Sequence, residues 1–294
     1  MILGLSAIRS PIRTASCFIM MMSAALSSSL HAQDQRVRTL VENGSVKIDL
    51  IAEGNGPLVV ILPSRGRDSE EFDEIAAGLA EGGFRVLRPQ PRGAGASTGP
   101  SDNVRMQDLA ADVANIIQRE NSGPAVIVGH AYGNWVARMT ATNHPHLVRG
   151  IVLVAAAAKT FPDELRAVVQ KSGDVKAPAD ERLEALRKGF FKRPDLAELW
   201  LKGWAPEANR IQGIASTNTK QAEYWSAGTV PFLDLVPDSD PFKPREKWFE
   251  TKEEFGDRAI VKIISDASHA LVPEQPKIII AEITDWCRML FAHK

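Results

Sequence analysis

A short turn between two glycines is the feature of this sequence that most directly indicates chemistry. Gly129 and Gly133 flank Ala131, directly after the apolar run 125–128. A buried strand that passes through such a turn into a helix displays the central side chain at the end of a sheet, where a serine can act as a nucleophile. Here the central residue is Ala131, and its methyl group has no oxygen with which to attack a carbonyl.

The elements around this turn alternate between strand and helix. Residues 37–42 and 46–52 are predicted strands joined at Asn43-Gly44, a pair typical of a hairpin turn. Further strands are predicted at 58–62, 84–87, 125–128, 151–155, 230–236 and 259–264, and helices at 70–81, 106–119, 132–143, 244–254 and 275–291. This order predicts an α/β fold with a mostly parallel central sheet and flanking helices.

The alternation breaks after the sixth predicted strand. Residues 162–226 contain no strand-like run, and helix-like pieces are found there at 164–169, 179–190, 195–204 and 219–225. We interpret this insertion as a helical cap. The predicted organisation is a signal peptide (1–32), a first core part (33–158), the cap (159–228) and a second core part (229–294).

From Pro57 to the C-terminus, the sequence resembles the α/β-hydrolase superfamily of the AB hydrolase-1 type. Five segments match that family in order: the oxyanion loop at 62–66, the glycine-rich segment at 92–97, the nucleophile elbow at 129–133, the acid-bearing turn at 237–241, and the histidine loop at 268–270 with 273–276. Each segment alone is a weak signal, but five in order imply the family's fold. The sequence departs from the family at Pro63, in place of a histidine, and at Ala131, in place of the nucleophile.

The resemblance assigns proton transfer to His269 and Asp240. The unperturbed pKa of a histidine suits a general base near neutral pH. Asp240 would orient the imidazole and stabilise its charged form, with Asp238 as the alternative acid. His130, next to the turn, is expected to be packed and hydrogen-bonded instead.

The resemblance also implies an oxyanion hole made of backbone N–H groups. One would come from Tyr132 at the start of the following helix, where the helix dipole favours negative charge. The other would come from Ser64 or Arg65. Pro63 does not prevent this, because the loop contributes a backbone group rather than a side chain.

The missing hydroxyl at Ala131 is a large departure. In serine proteases, losing the nucleophile lowers turnover by about 10⁶, roughly 8 kcal/mol of transition-state stabilisation. His269 and Asp240 could instead activate water or a substrate proton, giving hydrolase, lyase or cofactor-free oxygenase chemistry. The alternatives are an inactive ligand-binding relative, a nucleophilic role for Ser64, and an engineered replacement of serine by alanine. We favour an enzyme acting on a small, largely apolar ester-, lactone- or amide-like substrate.

The predicted cap contains aromatic residues that either line a pocket over the site or pack the cap onto the core: Phe190, Phe191, Trp200, Trp204 and Trp225. No cofactor is predicted, because no Gly-x-Gly-x-x-Gly follows a strand and segment 92–97 lacks the P-loop lysine. No spacing of His, Cys, Asp or Glu predicts a metal site.

Charge and composition exclude some partners. The 294 residues carry a formal net charge of −1, and no basic face is evident, so nucleic acid is not an expected partner. A loose group of arginines is expected to lie on solvated loops and strand ends: Arg65, Arg67, Arg85, Arg88 and Arg92. A small-molecule substrate is the expected partner, and the sequence indicates no oligomeric state.

The N-terminus has the pattern of a secretory signal. Arg9 and Arg13 precede the apolar stretch 17–26, and small residues follow up to Ala32. The apolar stretch is short and interrupted by serine, so we expect cleavage after Ala32 rather than a membrane anchor. The protein is therefore predicted to be exported, either periplasmic or secreted, with no stable membrane association after cleavage.

Overall fold

The fold is built on one sheet that is covered by helices on both faces. This computed structural model describes Met1 and residues 36–292. The described strands are β1 (Val37–Asn43), β2 (Val46–Glu53), β3 (Leu58–Leu62), β4 (Arg85–Pro89), β5 (Ala125–His130), β6 (Val148–Val154), β7 (Phe232–Pro237) and β8 (Ala259–Ile264). The described α-helices are α1 (Asp73–Glu81), α2 (Met106–Glu120), α3 (Tyr132–Asn143), α4 (Glu164–Gly173), α5 (Ala179–Gly189), α6 (Pro206–Thr217), α7 (Glu250–Phe255), α8 (Leu271–Glu274) and α9 (Pro276–Ala292).

The sheet has the order β1-β2-β4-β3-β5-β6-β7-β8. The first two strands form a hairpin at Asn43-Gly44, and β2 also runs antiparallel to β4. The remaining neighbours are parallel, so the carboxyl ends of β3, β5, β6 and β7 meet at one edge of the sheet. The predicted α/β fold with a mostly parallel central sheet and flanking helices is confirmed.

Strand β3 shows how the sequence generates two cores. All five of its residues are buried. Because successive side chains point to opposite faces, Leu58, Val60 and Leu62 join the apolar cluster under α2 and α3, whereas Val59 and Ile61 join the cluster with α1 and α9. A strand covered on both faces therefore reads as a continuous apolar run.

The chain between β6 and β7 is helical in the described residues. It contains α4, α5 and α6, and two 3₁₀-helices at Pro194–Leu201 and Gln221–Glu223. A third apolar cluster forms here and includes Phe242 and Ala270 from the main fold. These contacts anchor the helical segment over the carboxyl edge of the sheet.

Several element boundaries differ from the prediction. Helix α6 was not predicted, because its sequence contains Asn209 and Gly213 and few apolar residues. Pro206 at its first position was the available start signal. The predicted helix at 195–204 is a 3₁₀-helix, and those predicted at 219–225 and 244–254 are shorter.

The expectation of solvated arginines is wrong for three of them: Arg67, Arg88 and Arg92 are buried. Arg88 pairs with Glu53 at 2.5 Å and with Asp73, and Arg92 pairs with Asp112 at 2.6 Å. Acidic partners neutralise the charges of Arg88 and Arg92, which makes their burial tolerable.

The predicted signal peptide at 1–32 lies outside the described residues, apart from Met1. Within the described part of the chain, no helix is both long and apolar enough to cross a membrane.

Candidate active site

The turn after β5 holds Ala131 in an unusual backbone conformation. Its φ of 44° and ψ of −109° lie outside the regions that alanine ordinarily occupies. The two glycines are needed for this geometry. A Cβ at Gly129 would come within 2.5 Å of the Asn134 nitrogen, and one at Gly133 within 2.3 Å of the Leu62 oxygen.

Hydrogen bonds hold the turn from both sides. The N–H of Ala131 donates to the Val154 carbonyl on β6 at 3.1 Å. The Ala131 carbonyl accepts from the backbone N–H and the side-chain amide of Asn134, and Arg138 donates to the Asn134 side chain at 3.0 Å. The strained conformation is therefore supported by its surroundings rather than by residue 131 itself.

His269 and Asp240 form a buried pair at the same edge of the sheet. The distance between His269 Nδ1 and Asp240 Oδ2 is 2.9 Å, and the two side chains are 6% and 0% exposed. Asp240 Oδ1 accepts the N–H of Phe242 at 2.8 Å. Because a carboxylate accepts, Nδ1 is assigned as the donor of this hydrogen bond, and Nε2 is the ring nitrogen available to act on a substrate or water.

The alternative acid lies elsewhere. Asp238 accepts the hydroxyl of Ser239 at 2.9 Å and the N–H of Asp266 at 3.2 Å. Among the two carboxylates that the sequence offered, Asp240 is the one against His269.

The loop at 62–66, which the resemblance assigns to the oxyanion hole, follows β3 and is held by helix α6. The N–H of Gly66 donates to Gln212 Oε1 at 2.7 Å, and its carbonyl accepts the N–H of Ala205 at 2.8 Å. Tyr132 is the first residue of α3, so its N–H has no partner within the helix. The Tyr132 hydroxyl donates to the Gln212 carbonyl at 3.0 Å. Gln212 on α6 therefore contacts both the loop after β3 and the start of α3.

A cavity of about 200 Å³ brings the predicted site residues together. Ser64, Arg65, Ala131, Tyr132 and His269 line it, and the aromatic residues Phe190, Trp200 and Trp204 add an apolar wall. Of the two alternatives for the cap aromatics, lining the cavity does not apply to Phe191 or Trp225. Phe191 packs on Trp200, and Trp225 lies against the guanidinium of Arg138.

A buried ion pair close to His269, formed by Arg67 and Glu71, was not predicted from the sequence. His130 Nε2 donates to the His269 carbonyl at 3.0 Å, and His130 Nδ1 lies 3.6 Å from Glu71 Oε1. Glu71 also pairs with Arg67 at 2.9 Å. Burial raises the pKa of Glu71, but Arg67 and His130 outweigh it, so this pKa lies below its ordinary value. The four-residue spacing of Arg67 and Glu71 was the only sequence signal.

No cluster of three or more His, Cys, Asp or Glu residues suited to a metal ion occurs in the described part of the chain. Cys287 is buried in the core, and burial raises the pKa of its thiol to about 12. That thiol is therefore protonated and packed rather than reactive.

Known proteins resemble this chain in both sequence and fold. It is 28% identical over 123 residues to 2-(acetamidomethylene)succinate hydrolase of Mesorhizobium japonicum, covering 42% of this chain and 44% of the relative. It is 29% identical to pyrrolizixenacetamide deacetylase of Xenorhabdus hominickii, covering 40% and 44%. The matched stretches thus span less than half of these relatives. An esterase of Exiguobacterium antarcticum has a similar fold, with a TM-score of 0.72, 19% identity and coverage of 86% and 100%.

A model of the alpha/beta hydrolase family matches residues 59–282, which include the turn at Ala131, Asp240 and His269. This match covers most of the chain, and it agrees with the strand order of the sheet and with the placement of the strained turn after β5. The chain belongs to the alpha/beta hydrolase family.

Proposed function

We propose that this protein is a hydrolase that activates water with His269 and Asp240 and uses no covalent acyl intermediate. The observation that carries the proposal is the buried hydrogen bond between His269 and Asp240, together with the cavity that both His269 and Ala131 line. The methyl group of Ala131 leaves space where a serine hydroxyl would stand. A water molecule in that space could reach a bound carbonyl carbon.

The reaction then needs two proton transfers. His269 Nε2 takes a proton from water as the water oxygen bonds to the carbonyl carbon. The N–H of Tyr132 and that of Ser64 or Arg65 stabilise the resulting oxyanion. When the carbonyl re-forms, the bond to the leaving oxygen or nitrogen breaks, and imidazolium returns the proton to that atom. Asp240 stabilises the charged ring throughout.

The expected catalysis is modest. A positioned general base contributes about 10²–10⁴-fold, and an oxyanion-hole donor about 10²–10³-fold. Without the nucleophile, a serine protease still accelerates hydrolysis by about 10³–10⁴ over water. We therefore expect measurable but slow turnover.

The substrate is proposed to be small. A cavity of about 200 Å³ with Phe190, Trp200 and Trp204 in its wall suits a compact molecule with an apolar part. Two relatives are named for acetamide-containing substrates, which supports including amides with esters and lactones. Residues 159–228 would act as the cap, because their aromatic side chains form one side of the cavity.

A ligand-binding protein without catalysis is the second candidate, and the methyl group of Ala131 favours it. Binding would need only the cavity and its polar groups. Thermal stabilisation by a compound that is recovered unchanged after long incubation would support this candidate.

The test of the hydrolase proposal is steady-state hydrolysis of short 4-nitrophenyl esters by the unaltered chain and by His269→Ala. We expect turnover by the unaltered chain and a loss of about 10²-fold or more in the variant. Circular dichroism checks that the variant is folded. Equal rates for the two proteins would refute general-base catalysis by His269.

We also propose that the protein acts after export, as a periplasmic or secreted enzyme, on the basis of the charged, apolar and small-residue pattern at 1–32. Mass spectrometry of the protein from its native cells tests this. A mature N-terminus at or near Gln33 supports export, and an intact N-terminus in the cytoplasmic fraction contradicts it.

A further inference from the structure

We propose that the cavity binds a carboxylate of the substrate at Arg65 and Arg166, so that the natural substrate is an anionic ester or amide. The identification of the ligand as a substrate rests on the proposed function, but the anion site itself can be tested by binding alone. It adds a charged group to the apolar molecule that the aromatic wall suggests.

Arg65 is a half-buried guanidinium without an acidic partner. Its Nε donates to Asn209 Oδ1 at 2.8 Å, and one terminal nitrogen donates to the Asn209 carbonyl at 3.4 Å. Among the described residues, no carboxylate lies within 4 Å of it. Since charges that are partly removed from water are normally paired, we expect the Arg65 guanidinium to bind an anion.

Arg166, on helix α4, faces the same cavity. It packs over the Phe161 ring at 5.0 Å, and its only described acidic partner is Asp163 at 2.9 Å. The Asp163 side chain is 90% exposed, so water screens that pair strongly. Burial lowers the pKa of Arg65, and the charge of Arg166 lowers it further. The two cations therefore repel each other until an anion binds between them.

Arg67 also lines the cavity but is not part of the proposed site. Its charge is neutralised by Glu71 at 2.9 Å, and its guanidinium lies 4.9 Å from the rings of Trp200 and Trp204. It thus belongs to the wall of the cavity.

The remaining lining residues strengthen the preference for an anion. No Asp or Glu is among the described residues that line the cavity, which holds Arg65 and Arg166 together with His269. A guanidinium presents two parallel N–H groups that match a carboxylate. A ligand with an apolar body and one carboxylate would satisfy both the aromatic wall and the arginines.

The test compares phenylacetate with phenylacetamide, which have nearly the same shape and differ in charge. Isothermal titration calorimetry on the full chain should show that phenylacetate binds at least about tenfold more tightly, as expected for hydrogen bonds to a charged group. Added salt should weaken phenylacetate binding and leave phenylacetamide unaffected.

Two variants locate the site. Arg65→Gln and Arg166→Gln should each raise the Kd of phenylacetate by about tenfold or more and change that of phenylacetamide less than about twofold. Arg166 is largely exposed, so its variant should fold even if Arg65→Gln does not. Arg187→Gln is the matched control, because Arg187 is an exposed arginine on α5 that pairs with Glu198 and does not line the cavity.

Equal affinity for the two ligands, or equal effects of Arg65→Gln and Arg187→Gln, would overturn the anion site. Selective binding of phenylacetate by a chain that hydrolyses no ester would support the anion site while refuting the hydrolase. The two proposals can therefore fail separately.

Discussion

At the scale of single residues, the proposed site has a buried His–Asp pair beside a strained turn, and alanine occupies the position that we assign to a nucleophile. Ala131 keeps the strained backbone that displays a nucleophile, although an alanine gains nothing from that display. His269 and Asp240 keep a 2.9 Å hydrogen bond. In the proposed mechanism these groups move the protons and stabilise the charge, and water takes the place of a serine hydroxyl.

Asp240 and Asp238 should differ sharply in importance. Asp240→Asn removes the acceptor that fixes the His269 tautomer, so we expect kcat to fall by about 10²–10⁴-fold. Asp238→Asn should change kcat by about twofold or less, because the Asp238 carboxylate bonds to Ser239 and to the loop at Asp266 rather than to His269. Steady-state ester hydrolysis by both variants measures this. A larger effect of Asp238→Asn would mean that Asp238 is the functional acid.

Restoring the hydroxyl should raise activity. Ala131→Ser places an oxygen on a turn that already has the required backbone, so we expect a gain of at least about tenfold in ester hydrolysis, with about 10⁶-fold as the upper limit. The same variant should react covalently with a fluorophosphonate probe, whereas Ala131→Gly should not. A serine variant that is inert to the probe would show that the oxyanion hole or the turn is not competent.

At the scale of elements, helix α6 contacts both segments that we propose to form the oxyanion hole. Gln212 accepts the Gly66 N–H through its side chain and the Tyr132 hydroxyl through its carbonyl. The sequence of α6 has few apolar residues at helical spacing, and for this reason the helix was not predicted. The strands, in contrast, were predicted because burial on both faces leaves a continuous apolar run in the sequence.

Gln212→Leu should loosen the oxyanion loop. The variant leaves the buried Gly66 N–H without its acceptor, which costs about 1–3 kcal/mol of unfolding free energy. Urea denaturation measures the loss, and ester hydrolysis should fall in parallel. Thr217→Ala, at an exposed position of the same helix, is the control and should change stability by less than about 0.5 kcal/mol. Equal stability of the two variants would contradict the role of Gln212.

At the scale of the whole molecule, buried charges join parts of the chain that are far apart in sequence. Glu71 pairs with Arg67 and lies 3.6 Å from His130, which bonds to the His269 carbonyl. This arrangement connects the oxyanion loop, strand β5 and the histidine loop. Family-like motifs predicted the site residues, but the pattern could not show that Arg67 is buried, because its environment comes from residues that only the fold brings near.

Glu71→Gln should destabilise the protein in a pH-dependent manner. It leaves Arg67 buried without a countercharge, so we expect a loss of about 3–5 kcal/mol in unfolding free energy at pH 7. The pKa of Glu71 is lowered in the folded state, so its contribution is present above the ordinary value and is lost as pH falls through the folded-state pKa. Denaturation curves of the two proteins should therefore converge in acid. Glu74→Gln, at an exposed position of α1, is the control, and an equal effect would contradict the prediction.

The most direct test of the central claim is the time course of 4-nitrophenol release when substrate ester is mixed with a high concentration of the unaltered chain. If His269 activates water without a covalent step, 4-nitrophenol release is linear from the first turnover. The His269→Ala variant then shows no release above that of buffer. A burst equal to the enzyme concentration would reveal an acyl-enzyme on another nucleophile, such as Ser64. The absence of any release above buffer would show that the protein does not hydrolyse esters, and either result would contradict the account.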